Sequence, residues 1–538
     1  MQPINISRRR ILQYGIWLAL GGLAACSRNS QTQQMPGGAH QGHDMRNAMH
    51  GTPASAGSAP AGETALMPPE AMPAGAALSA LPLLANRSAR SAHFQAELTA
   101  QVTHTVLAGG KTTEIWAYNG QLPGPQIVVQ EGDTVEIRFR NALPQPTTIH
   151  WHGLDVPAQA DGNPQDPVPP GGQRVYRFTL PEGSAGTYWY HPHPHKHVSE
   201  QVYRGLAGTL IVRAKDDPLA GRPEQHWLIS DLRLAADGSI PPNTPTDWMN
   251  GREGEFVLIN GQYRPDIRVQ GNERIRIWNA TSARYLRLQI PGISWIVVGS
   301  DGGLLEQPLP AVSELFLAPA ERVEVILQGT APTRAALHSL YYDRQKMMVQ
   351  ETPSTLTLAH VRFAGEQADI PPKLRTLPPW GDIQAQQTVV FSEVMNMMNQ
   401  SGMNHGSMNH GTATGTVGAD TPPPMMTGMF LVNGKTFDMK RIDLHTRAGQ
   451  SEEWMLQNLS HMDHPFHLHG TQFEIIRREW QGKRENAAYR ALKDTVNLRP
   501  NETVWIRTRQ NHPGLKMFHC HILEHENLGM MGMLEVKA

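Results

Sequence analysis

The chain has 538 residues and 47 Lys plus Arg against 48 Asp plus Glu, a net charge of −1. That length suggests about three or four domains, and the balanced charge offers no basic face for nucleic acid. The 49 glycines and 42 prolines punctuate many short apolar runs, which favours an all-β protein, and 24 methionines and 25 histidines against two cysteines suggest metal handling without disulfides.

The first 26 residues read as a targeting segment. Ser7-Arg8-Arg9-Arg10-Ile11-Leu12-Gln13 is similar to a twin-arginine export signal. The apolar run that follows, to Ala25, is too short to span a membrane. Leu23-Ala24-Ala25-Cys26 matches a bacterial lipoprotein box, which would put a lipid anchor on Cys26 and hold the protein in the periplasm or cell envelope. The alternative is that Cys26 is discarded with the signal. Residues 27–90 lack apolar periodicity and read as a disordered Met/His/Gly/Pro-rich tether.

From there the chain repeats itself. Asn119-Gly120, Asn260-Gly261 and Asn433-Gly434 each precede alternating apolar residues, and each run closes on an asparagine: Asn141, Asn279 and Asn458. Three tandem Greek-key β-sandwiches are expected, over residues 91–215, 220–370 and 385–538. The third is interrupted by a low-complexity insert, 395–429, where Met395, Met397, Met398, Met403 and Met408 stand among Asn, Gly and Ser. Without a period of 2 or 3.6, a core role for its methionines is a poor reading, and exposed thioethers suit soft Cu(I).

Chemistry follows the closing asparagines. After Asn141 comes His150-Trp151-His152-Gly153, and after Asn458 comes His464-Pro465-Phe466-His467-Leu468-His469-Gly470. After Asn279 comes Thr281-Ser282-Ala283-Arg284, with no histidine. The outer repeats also end alike, in Tyr190-His191-Pro192-His193 and Phe518-His519-Cys520-His521. The match selects His191 and His193 over the nearby His195 and His197. Cys520, with His525 five residues on and Met530 ten residues on, offers the ligand types of a blue-copper electron-transfer site. On a strand, His519 and His521 turn away from the face that Cys520 uses, so the segment reads as a wire between two metal sites.

These motifs, with Trp189 before Tyr190 and Ile149 before His150, resemble those of the multicopper oxidases, from about residue 115 to the C-terminus. The resemblance implies three cupredoxin-like domains and four copper ions. Type 1 copper would take His464, Cys520, His525 and axial Met530. Type 2 copper would take His150 and His467, and the type 3 pair His152, His191, His193, His469, His519 and His521. It also implies one-electron oxidation at type 1 copper, transfer through Cys520, and four-electron reduction of O2 to water. Asp161 and Glu526 match positions that relay protons in related bacterial oxidases.

Export and the Met-rich insert most resemble the periplasmic copper-efflux (cuprous) oxidases, which oxidise Cu(I) and accept phenols as laccases do. Met462, Met395, Met397, Met398, Met403 and Met408 are then candidates for substrate Cu(I). One position departs from that pattern: Ser460 stands where an acidic residue is expected, and Asp463 is displaced next to His464. Two alternatives stand beside this reading, a laccase acting mainly on phenols or aromatic amines and a non-catalytic copper-binding periplasmic protein. Three repeats and four His-X-His pairs exceed the needs of a two-domain nitrite reductase. A monomer is expected.

Overall fold

The computed structural model describes residues 64–329, 331–365, 369–394, 422–423 and 426–538. The export signal, Cys26, and Met395, Met397, Met398, Met403 and Met408 lie outside the described residues. All the described residues belong to one compact unit.

The frame begins at the Asn-Gly turns. Asn119, Asn260 and Asn433 have φ of 52°, 52° and 51°, and Gly120, Gly261 and Gly434 follow at 70°, 77° and 73°. Two successive positive φ values give a tight turn whose twist matches the flanking strands. Each asparagine also ties its turn to the opening strand of its own sandwich. Its Oδ1 accepts from the amide of Thr99, Leu228 or Val390, and its Nδ2 donates to the carbonyl of Glu97, His226 or Thr388.

The strand that follows alternates as the sequence predicts. In Thr134–Ala142, Val135, Ile137, Phe139 and Asn141 point inward. In every repeat this strand runs parallel to the opening strand, with Ala100 opposite Asn141, Ile229 opposite Asn279 and Phe391 opposite Asn458. The closing asparagines are buried and do one job three times. Their Nδ2 atoms donate to Gln145 and Val168, to Arg284 and Leu317, and to Met462 and Leu498, all at 2.8–3.0 Å. Each Oδ1 accepts the amide two residues on, from Leu143, Thr281 or Ser460. The loop leading to the next strand is thereby pinned.

Six sheets follow in chain order as three pairs, with four and four strands, then seven and five, then six and five. Each pair encloses its own apolar cluster: one around Trp151 and Phe139, one around Trp227 and Trp295, and one around Phe466 and Phe518. This is a tandem β-sandwich architecture. Short helices fill the seams: α1 (Val198–Tyr203), α2 (Pro245–Asn250) and α3 (Leu523–Asn527). No helix among the described residues is long and apolar enough to cross a membrane.

The disordered tether expected through residue 90 fails over its last part. From Thr64 the chain is an extended strap, bridging Leu66 to Ala235, Ala74 to Tyr263, Ala77 to Asp266 and Leu83 to Gln126. Met67, Met72 and Leu81 are buried beneath it. Such a strap buries side chains singly and pairs one residue at a time, so it leaves no periodic signal in the sequence.

Candidate metal centre

The ligand strands are short and buried. Strand His150–His152 pairs with Gly186–His191, setting His150 opposite His191 and His152 opposite Trp189. Alternation puts both histidines on one face and Trp151 on the other. Fully burying Trp151 contributes about 3 kcal/mol and fixes the rotation of the strand. In the third sandwich His464–Leu468 pairs with Gly514–Cys520, with Phe466 opposite Cys520 and His467 opposite His519.

Two clusters result. In the first, His464 Nδ1 lies 3.3 Å from Cys520 Sγ and 3.2 Å from His525 Nδ1, and His525 Nδ1 is 3.9 Å from the sulfur. Met530 is fully buried in the same apolar cluster, its carbonyl accepting from the Cys520 amide at 3.0 Å. In the second, His150 Nε2 meets His467 Nε2 at 3.3 Å, and His152 Nδ1 meets His191 Nε2 at 3.3 Å. His193 and His469 both approach His519 Nε2, at 3.2 and 3.1 Å. His521 packs its ring 5.1 Å from His152 and 5.5 Å from His191. Nitrogens close enough to share a cation fall in overlapping groups, His150–His152–His191, His150–His467–His469 and His193–His469–His519, with His521 packed against His152 and His191. His519 and His521 lie with the histidines, and Cys520 between them lies with the sulfur cluster.

The donors suit a metal. Burial pushes the imidazoles of His152, His191, His193, His464, His467, His469, His521 and His525 below their ordinary value of 6.5, and that of His519 to about 3. Neutral rings keep a lone pair for a cation. Both ring nitrogens of His521 are buried without a hydrogen-bond partner, a cost that a metal ligated at one of them relieves in part. Burial also pushes the Cys520 thiol up, so metal must displace its proton.

Carboxylates flank the histidine cluster. Asp161 Oδ1 is 3.1 Å from His150 Nδ1, and its Oδ2 is 3.4 Å from His469 Nδ1. Glu526 lies 3.3 Å from His193 Nε2 and 3.2 Å from His519 Nδ1. Burial, and Glu524 beside it, push the Glu526 carboxyl well above the usual carboxylate range. His195 stands apart, with its ring against Phe437.

Other assignments change. Met462 is fully buried in the apolar cluster around Cys520 and closed to solvent. Asp463 accepts from Tyr342 Oη at 2.7 Å and Asn497 Nδ2 at 2.5 Å, with its carboxyl pushed up to about 6 by burial. Met426 and Met429 at the end of the insert are core residues of that cluster. The core reading rejected for the insert therefore holds there. These side chains pack within one turn-like segment, where neither strand nor helix period applies.

Two functional groups escaped the sequence reading. Glu393 Oε1 is 3.0 Å from His464 Nε2, and its Oε2 is 2.6 Å from Nδ1 of His461, a ring one-third exposed. Burial alone would raise the Glu393 carboxyl, but the hydrogen bonds from His461 and His464 hold it well below the usual range. Asp494 accepts from His152 Nε2 at 2.9 Å. Neither acid lies in a histidine motif: Glu393 sits 71 positions from His464, and Asp494 sits 342 positions from His152.

Tandem β-sandwiches with a buried site of one cysteine and two histidines, joined by one strand to a histidine cluster between sandwiches, define an electron-transferring metalloenzyme. Family models described as multicopper oxidase match residues 99–217 and 397–538. A multicopper oxidase of Staphylococcus aureus is 30% identical over 449 residues, 82% of this chain and 88% of that protein. The solved multicopper oxidase from Campylobacter jejuni, described as a metallo-oxidase, is 48% identical, with a TM-score of 0.83 over 88% of this chain and 98% of that one. A laccase-like multicopper oxidase, CueO, from Ochrobactrum sp. is 27% identical, with a TM-score of 0.71 over 85% and 99% of the two chains. The chain belongs to the multicopper oxidase family. It is a copper-dependent oxidoreductase with O2 as acceptor.

Proposed function

We propose that the chain is an exported oxidase of Cu(I), carrying four copper ions and turning over phenols in the manner of a laccase. His464, Cys520, His525 and Met530 would hold the type 1 copper, His150 and His467 the type 2 copper, and His152–His191–His521 and His193–His469–His519 one type 3 copper each. Copper, when bound, supplies one-electron uptake at the sulfur site and reduction of O2 to water at the cluster. The residues do the rest. Cys520 connects covalently to His519 and His521, one peptide unit away on either side. Asp161 and Glu526 serve protons to the cluster, Asp161 touching His150 and His469 and Glu526 touching His193 and His519.

One observation carries the Cu(I) reading: both ends of the Met-rich insert are anchored at the sulfur site. Glu393, just before the insert, holds His464, and Phe430, just after it, stacks on His525 with ring centroids 3.9 Å apart. The Val394 amide donates to the Met429 carbonyl at 2.9 Å, closing the base of the loop. The residues that flank the insert, Glu393 and Phe430, thus contact two of the histidines of the sulfur site. The description of the C. jejuni relative as a metallo-oxidase favours the same donor class. The export signal and the lipoprotein box at Cys26 support an envelope location.

Deleting 395–421 while keeping Met426 and Met429 tests the reading. Cu(I)-dependent O2 uptake should be lost, with phenol oxidation kept or raised. An equal fall in both activities would assign the insert a structural role and leave the laccase reading in its place.

A further inference from the structure

We propose that the middle sandwich, which gives the histidine cluster no ligand, sets the geometry of that cluster through Arg322; this rests on the copper reading above. Arg322 opens strand Arg322–Gln328 and is buried at the meeting point of the three sandwiches. Its Nε donates to the Thr187 carbonyl of the first sandwich at 2.8 Å, and its Nη1 to the Ala320 carbonyl of its own at 2.9 Å. Nη1 and Nη2 then fork onto Asp494 of the third sandwich, at 2.7 Å to Oδ1 and 2.5 Å to Oδ2. The Arg322 amide donates to Asp301 Oδ1 at 2.7 Å, and Asp301 Oδ2 takes Lys493 Nζ at 3.0 Å.

Asp494 faces the ligands. Its Oδ1 accepts from His152 Nε2 at 2.9 Å, and its main-chain carbonyl accepts from His467 Nδ1 at 2.8 Å. Those two rings, one from each outer sandwich, stack at 3.7 Å and 14°. Placing the ring protons on those nitrogens leaves His152 Nδ1 and His467 Nε2 bare, and these are the atoms turned toward His191 and His150. Asp494 is also close enough to compete, since its carboxylate and the ring nitrogens of His152 and His467 all lie within 4.8 Å of one another. The guanidinium fork engages both carboxylate oxygens, orients them by two parallel hydrogen bonds and makes Asp494 a partner of the ligands instead of a ligand.

Gly153 fits this account. With φ at +88°, a Cβ there would lie 2.2 Å from Asp494 Oδ2 and 2.8 Å from Arg322 Nη2. The glycine after His150-Trp151-His152 therefore admits the fork. Arg322 is a positioning residue, acting through Asp494.

The test uses the full-length, copper-loaded chain and the variants Arg322→Gln, Arg322→Lys, Asp494→Asn and Arg322→Gln/Asp494→Asn. Copper per chain is followed under chelator competition, with the blue absorption of the Cys520 site as a separate reporter. Arg322→Gln and Asp494→Asn should each release cluster copper about 10–100-fold more readily while the blue colour persists. The double variant should match Asp494→Asn within about twofold, because the arginine acts only through the aspartate. Arg322→Lys, which keeps the charge and loses the fork, should fall between wild type and Arg322→Gln, and with Asp494→Asn it carries the test if Arg322→Gln does not fold. Undiminished cluster copper in the variants, additive losses in the double variant, or parallel loss of the blue site would each overturn the inference. A wild-type chain that holds only the blue copper would instead overturn the copper reading of the cluster.

Discussion

The outer sandwiches and the middle one share a frame to within single hydrogen bonds. All three have an Asn-Gly turn stitched to the opening strand, a parallel strand pair, and a closing asparagine with two carbonyl acceptors and one amide donor. They part at the next strand. In the outer sandwiches it is His150–His152 or His464–Leu468, aimed at a shared seam. In the middle one it is Leu286–Gln289, whose Leu286 and Leu288 feed an ordinary core. The contrast separates frame from chemistry. A sandwich keeps its fold with or without imidazoles, so ligands can be confined to the faces where two sandwiches meet.

The contrast can be broken or sharpened by experiment. The largest effect is expected from Cys520→Ser, which keeps the strand and removes the thiolate. Blue absorption and turnover should vanish while copper in the histidine cluster remains. A variant still blue and active would falsify the assignment of the sulfur site.

Copper removal should expose the difference between sandwiches as acid sensitivity. Nine buried histidines of the two clusters are held below 6.5 in the folded chain. The unfolded chain therefore binds more protons below that pH, and stability falls as pH drops through 6.5 toward the folded values. The loss approaches about 1.4 kcal/mol per pH unit for each histidine that stays neutral in the folded chain. The Tm of the copper-free protein should drop sharply between pH 7.5 and 5.5, and that of the copper-loaded protein much less. Hydrogen exchange should open outer-sandwich peptides first. A copper-free Tm indifferent to pH over this range would refute the account.

A smaller and more even effect is expected at the frame. Asn141→Ala, Asn279→Ala and Asn458→Ala each strand buried backbone partners and should cost about 3 kcal/mol, equal to within about 1 kcal/mol, as read from denaturant midpoints. A middle variant that loses nothing would show that the frame is not shared.

The smallest effect belongs to the turns. Gly434→Ala meets open space and bears only the left-handed backbone cost of about 1–2 kcal/mol. Gly261→Ala would also drive its Cβ to 2.5 Å from the Leu122 carbonyl and should cost more. Equal losses would argue that this contact is slack.

Much of the frame was legible because it is local. An Asn-Gly pair demands its turn, and alternation in Thr134–Ala142 demands a half-buried strand. The histidine motifs were legible for the same reason: a period of two puts His150 with His152, and Cys520 apart from His519 and His521. The strap from Thr64 was not legible, since isolated contacts leave no period. Met426 and Met429 misled because a methionine among glycines and prolines looks solvated until something packs on it. Glu393 and Asp494 stood outside every motif, and Arg322 lies 172 positions from the carboxylate it clamps.

The sequence by itself determined the turns, the faces of each strand and the inventory of soft and imidazole ligands, because each depends on residues a few positions apart. Only the tertiary structure decided that Glu393 and Asp494 attend the ligands and that the ligand-free middle sandwich reaches the cluster. Those choices are contacts between side chains 71 to 342 positions apart, fixed by how the sandwiches fold and pack.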